Sequence, residues 1–143
     1  MIRSMVNGLV GACTLTIAHQ VLRKLTPDAP RLDVLGEQGV VKLAQAAKIK
    51  MSEKQVQKLA FAGDIISNTL YFSQVGNKRG LLSLLRGASL GGAAGAGTVV
   101  LPGKLKLDSS ATKMSPKTKA LSISLYVLAG LAAGMAAQAG RKK

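Results

Sequence analysis

Ala120 to Ala139 contains no charged residue, in a chain whose formal net charge is +14. A helix needs ~20 apolar residues to cross about 30 Å of hydrocarbon, so this run constrains the fold more than any other. Three further runs resemble it. Ile2 to Leu22 carries only Arg3, Leu59 to Val75 only Asp64, and Gly80 to Leu101 only Arg86. Short basic segments separate them, so 48% hydrophobic residues and a mean hydropathy of +0.26 coexist with 20 Lys and Arg. With 143 residues the chain suits one domain. The pattern predicts an all-α multipass membrane protein. Four transmembrane helices, at about 2–22, 54–75, 78–101 and 116–139, form an antiparallel bundle, with an amphipathic segment in 23–53 and a basic loop at 102–115.

Local signals agree with these boundaries. Ser52 and Gln55 have capping-box spacing before the second run, the shortest, which Lys54 and Lys58 extend by snorkelling. Asn77 is the expected cap of the third helix. Ser115 followed by Pro116 places a capping hydroxyl before a proline at the first helical position of the fourth.

The third run holds Gly80, Gly87, Gly91, Gly92, Gly95 and Gly97. In water each interior glycine costs a helix about 1 kcal/mol relative to alanine. In hydrocarbon unpaired backbone groups cost more, so the helix persists. Gly87, Gly91 and Gly95 recur every four residues beside Ala88, Gly92 and Ala96, and Gly130 and Gly134 repeat the spacing in the fourth run. Small residues on one face let two backbones approach closely, so the third and fourth helices are expected to pack together, or the stripe to join copies of the chain. The segment GGAAGAG at 91–97 is not a phosphate loop. No Lys-Ser or Lys-Thr follows it, its glycine order is reversed from the dinucleotide fingerprint, and a helical pattern rather than a strand precedes it.

Asp64 sits among Leu59, Phe61, Ile65, Ile66, Leu70, Phe72 and Val75. These supply roughly −2 to −4 kcal/mol of insertion free energy, and a central Asp costs about +2.5 to +3.5. The terms nearly cancel, so Asp64 is expected to face protein rather than lipid. Asp64, Asn68 and Tyr71 fall on one stripe at i, i+4 and i+7. Antiparallel neighbours would bring His19 to the depth of Asp64, while Arg86 enters from the opposite side nearer Asn68 and Tyr71. The candidate polar cluster is therefore His19, Asp64, Asn68, Tyr71 and Arg86. A structural hydrogen bond fixing helix register is favoured over a proton relay, because such residues are few and the chain is short.

In the first long loop, Leu32, Leu35, Val40, Leu43 and Ala47 fall near one face of a helical pattern introduced by TPDAP. Such a helix lies on headgroups or packs on the ends of the bundle. Residues 102–119 read as a basic loop and Arg141–Lys143 as a basic tail. The expected partners are a bilayer with anionic headgroups and a second copy or a larger membrane complex. Nucleic acid is disfavoured by 3% aromatics and the absence of base-reading motifs. The two long loops hold 13 basic residues against 6 for the termini and short loop, which places the long loops in the cytoplasm. The apolar run continues past Cys13 through TLTIA, so a retained first span is expected rather than a cleaved signal.

One His and one Cys exclude a His-rich metal site and a multi-Cys site. Cys13 and His19, six apart, lie on different helix faces. No catalytic constellation, metal site or cofactor is expected. PDAPRLDVLG and AGDIISNTLYFS resemble signatures of small bacterial membrane proteins, but no family or activity attaches to them; the expected location is a bacterial inner membrane. The function read from these features is structural or interaction-type, a helix-packing module or accessory subunit. The alternative is a small transporter or proton conductor using His19, Asp64 and Arg86.

Overall fold

A computed structural model describes residues 1–140; the basic tail at 141–143 lies outside them. The described chain is all-α: α1 (Ile2–Leu25), α2 (Leu32–Ala46), α3 (Glu53–Ser73), α4 (Leu81–Lys104), α5 (Ser110–Lys113) and α6 (Pro116–Ala139). Three of these, α1, α4 and α6, are long and apolar enough to cross a membrane, not the four expected from sequence. The exception is α3. Glu53, Lys54 and Lys58 occupy its first turns and Asp64 its middle, which leaves too little uninterrupted apolar length.

The long helices form a row, α4–α6–α1–α3, with the most extensive pairing between α4 and α6. Glycine sets that pairing. Gly87 and Gly130 lie backbone to backbone, Gly91 abuts the Tyr126 carbonyl, and a Cβ on Gly95 would stand 2.6 Å from Ile123 Cα. Contacts move up α4 as they move down α6, so the two run antiparallel. Gly134 continues the seam against Ser83, whereas Gly92 faces open space. On the other side of α6, Gly11 of α1 fits among Ala129, Ala133 and Phe72 of α3. The seams are consequently small-residued, with Ala129 and Ala133 fully buried beside the larger Leu15, Phe72, Val75 and Leu125, while Ile17, Leu85, Leu128 and Met135 are 46–63% exposed.

Both side-chain caps expected before α3 and α6 are present. Ser52 Oγ accepts from Gln55 N, and Gln55 Oε1 accepts from Ser52 N at 2.9 Å. Ser115 Oγ accepts from Thr118 N at 3.1 Å. Asn77 does not cap α4. Its Oδ1 accepts from Asn7 of α1, and the helix begins after Gly80, whose φ of 55° favours glycine.

Nor does the third long helix stop before Pro102. It continues to Lys104. Proline lacks an N–H, so the carbonyl four residues back, Thr98, loses its helical donor. Thr112 Oγ1 replaces it at 2.6 Å. Thr112 belongs to α5, a short helix inside the segment expected to be a basic loop. The Thr112 carbonyl in turn accepts from Ser122 Oγ of α6, and Thr118 Oγ1 donates to the Asp28 carbonyl. Thr112, Thr118 and Ser122 are at most 1% exposed. This buried network ties both long connections to α4 and α6 at one end of the row.

Candidate functional site

At that same end, α2 folds back over α1 and α3. It passes Ala60 at Gly36, where an added Cβ would lie in ordinary contact, 3.8 Å from the alanine methyl. The three helices enclose a cavity of about 300 Å³. Its polar lining comes from Thr16, His19, Gln20 and Arg23 of α1, Asp33 and Glu37 of α2, and Gln57 and Asp64 of α3.

His19 is positioned by the TPDAP turn. That turn brings the Pro30 carbonyl to 2.8 Å from His19 Nε2. A carbonyl only accepts, so Nε2 carries a proton and Nδ1 is the acceptor of the neutral ring. Asp33 neutralises Arg23 through a 2.7 Å ion pair. Its Oδ1 is buried without a hydrogen bond, although Arg31 Nε attracts it from 3.5 Å. Glu37 and Asp64 have no ion pair among the described residues. The cavity therefore concentrates negative charge within a strongly basic chain.

Asp64 Oδ1 accepts from Asn68 Nδ2 at 2.8 Å, and the same amide donates to the Asp64 carbonyl at 2.9 Å. The polar stripe of α3 is thus bonded within the helix. His19 and Asp64 share the cavity but no hydrogen bond or ion pair joins them among the described residues. Asn68 and Tyr71 face a neighbouring groove between α3 and α4, where Tyr71 Oη donates to the Leu90 carbonyl at 2.8 Å. Arg86 is exposed on α4 and does not line the cavity. Of the five residues grouped by sequence, two meet in the cavity, two line the groove, and Arg86 stands apart.

Sequence reasoning overlooked Tyr126. It lies on α6, 8% exposed, and lines the groove beside Asn68 and Tyr71. Its polar tip within an otherwise uncharged run was the available signal. The Thr112–Ser122–Thr118 network was also missed, since its cue, the carbonyl orphaned by Pro102, depends on α4 continuing past that residue.

Chemically, the cavity can hold water or a cation beside two unpaired carboxylates and an imidazole lone pair. Among the described residues no group of three or more His, Cys, Asp or Glu side chains could hold a metal ion. No protein-family model, curated protein or solved structure matches the chain.

Proposed function

We propose that this chain is a multipass integral membrane protein of structural type, a close-packed helical module that associates with itself or serves as an accessory subunit of a membrane assembly. One observation carries this reading: glycine, alanine and serine form the α4–α6 seam and only a few large side chains, such as Leu15, Phe72, Val75 and Leu125, are buried, while most large aliphatic side chains face outward. Water would penalise so much contiguous apolar exterior, whereas in lipid the same surface is solvated and small residues supply the packing.

In this reading α3 is a fourth span. Leu59, Ile66 and Leu70, each 51–60% exposed, point away from the cavity that Asp64 lines. Lys54 and Lys58 reach the headgroups, and α2 lies at that interface as an amphipathic helix. The excess of lysine and arginine in the long loops favours their cytoplasmic placement, in a bacterial inner membrane rich in anionic lipid.

Carbonate extraction tests the proposal. The protein is expected in the pellet, and release as a monomer would overturn it. Cys13 offers a second check. It is exposed on α1, so a membrane-impermeant maleimide should label it only after detergent is added. Labelling in intact vesicles would place water where lipid is proposed.

A second reading, proton or ion conduction, is favoured by His19 and Asp64 lining one cavity. Proton flux into proteoliposomes that Asp64→Asn abolishes would support it. Flux equal to that of empty vesicles would leave the structural role.

A further inference from the structure

The cavity beneath α2 presents open acceptors and engaged donors. Thr16 Oγ1 donates to the Ala12 carbonyl of its own helix at 3.1 Å. Arg23 is held by Asp33 at 2.7 Å, and Gln57 Nε2 reaches Glu53 at 3.5 Å. Gln20, exposed at the mouth, adds an amide that both donates and accepts. The open acceptors are His19 Nδ1, the Glu37 carboxylate and the second carboxylate oxygen of Asp64. None of them has a hydrogen bond or ion pair among the described residues.

His19 is the most telling of the three. It is 8% exposed, and the Pro30 carbonyl holds its Nε2. Nδ1 is then the ring atom left to meet the cavity that His19 lines. Asp64 shares that cavity without bonding to His19, because two acceptors cannot bond each other. A bridge between them needs at least two hydrogens. Water has two, but it would leave the charges of Glu37 and Asp64 unanswered, since Arg23 and Arg31 both attend Asp33. Unpaired acids at membrane depth, or under a covering helix, call for a cationic partner.

A metal ion fits poorly, because no group of three or more His, Cys, Asp or Glu side chains among the described residues could hold one. An ammonium needs no such convergence: its three N–H groups meet acceptors singly. The rest of the wall is apolar, with Leu15 and Ala60 buried at the floor, Leu32 on α2 and Phe61 exposed at the mouth. At about 300 Å³ the cavity stands at the small end of ligand sites.

We propose that this cavity binds a primary alkylammonium. Its N–H groups meet His19 Nδ1 and Asp64, Glu37 completes the charge balance, and its stem lies against Leu15, Leu32 and Phe61. The site goes beyond the structural role above and does not require lipid around the helices, because one chain forms the whole cavity.

Isothermal titration calorimetry of the full chain in dodecyl maltoside, with n-butylammonium chloride as the probe, tests this. One ammonium per chain is expected. Tetramethylammonium has the charge without N–H groups, and 1-butanol has the stem without the charge; each should bind at least ten-fold more weakly. Asp64→Asn and Glu37→Gln should each weaken butylammonium binding about ten-fold, while Asp108→Asn, an acid outside the cavity lining, should leave it unchanged. If Asp64→Asn loses helix content by circular dichroism, Glu37→Gln on the other wall carries the test.

Nanodiscs of phosphatidylcholine with and without phosphatidylethanolamine separate two sources of the amine. Butylammonium binding lost in the presence of phosphatidylethanolamine marks a lipid amine as the occupant, and unchanged binding marks a water-soluble one. No binding by the wild type, or equal binding of butylammonium and tetramethylammonium, would overturn the site. So would undiminished binding in the folded Asp64 and Glu37 variants, or an equal loss in Asp108→Asn. A carbonate-released chain that still binds butylammonium refutes the membrane reading alone, and a carbonate-resistant chain that does not bind it refutes the cavity site alone.

Discussion

Replacing Gly130 with alanine puts a methyl group where α4 and α6 touch backbone to backbone. An ideal Cβ at this position stands 2.7 Å from the carbonyl carbon of Gly87 and 3.2 Å from Gly91 N. Ordinary carbon contacts begin at about 3.5 Å, so the helices must separate locally by at least ~0.8 Å, and further to clear the Gly87 carbonyl oxygen, which the Cβ would meet more closely still. A floor for the interface is the ~40–60 heavy-atom pairs of one buried leucine, at ~0.1–0.2 kcal/mol each, or about 6 kcal/mol. A gap of at least this width forfeits a quarter to a half of each well or more, so the expected loss is at least about 1.5–3 kcal/mol, the range for overpacked cores. Gly92→Ala is the matched control, because a Cβ there meets nothing within 4 Å. The assay is reversible unfolding in dodecyl maltoside micelles titrated with sodium dodecyl sulfate, followed by circular dichroism. Stabilities of Gly130→Ala and Gly92→Ala within about 0.5 kcal/mol of each other would refute close glycine packing as the source of cohesion.

Three further outcomes are expected. Asn7→Leu removes the donor to the Gly76 carbonyl at 3.1 Å and should cost about 1–3 kcal/mol in the same titration; an unchanged midpoint would show that this bond contributes nothing. Thr112→Val leaves the Thr98 carbonyl without its replacement donor and should cost a similar amount, while Thr112→Ser should retain most of the stability. Asp64→Asn keeps an acceptor for Asn68 and should melt like the wild type. Asp64→Leu leaves Asn68 only the backbone carbonyl at 2.9 Å and should lose about 1 kcal/mol; equal melting of all three proteins would remove any packing role for this acid.

The ends of α6 and the start of α3 were legible because they depend on neighbours in sequence. A serine before proline and a Ser–Gln pair three apart act within one turn. The two failures at α4 have the opposite cause. Asn77 has the chemistry of a cap, but Asn7, distant in sequence, takes its side-chain oxygen. Pro102 has the chemistry of a terminator, yet a threonine from the next connection repairs the carbonyl it orphans. Each is a long-range hydrogen bond overriding a local preference. The candidate site divided the same way. Spacing put Asp64, Asn68 and Tyr71 on one face, and antiparallel order brought His19 to the cavity. Neither spacing nor order revealed that the groove between α3 and α4 separates Asn68 and Tyr71 from that cavity. Arg86 joined the group because depth alone was considered, and depth does not specify the direction in which a helix faces.

The central position of α6 has a consequence for biosynthesis. This helix separates α4 from α1, yet all the other long helices leave the ribosome before it. During translation α1 can complete only its contact with α3, and the side of Gly11 that later meets Ala129 and Ala133 stays open. The row is therefore completed by late arrival of an interior member, and for that interval the nascent chain presents two unsatisfied glycine faces to whatever protein or lipid is nearby.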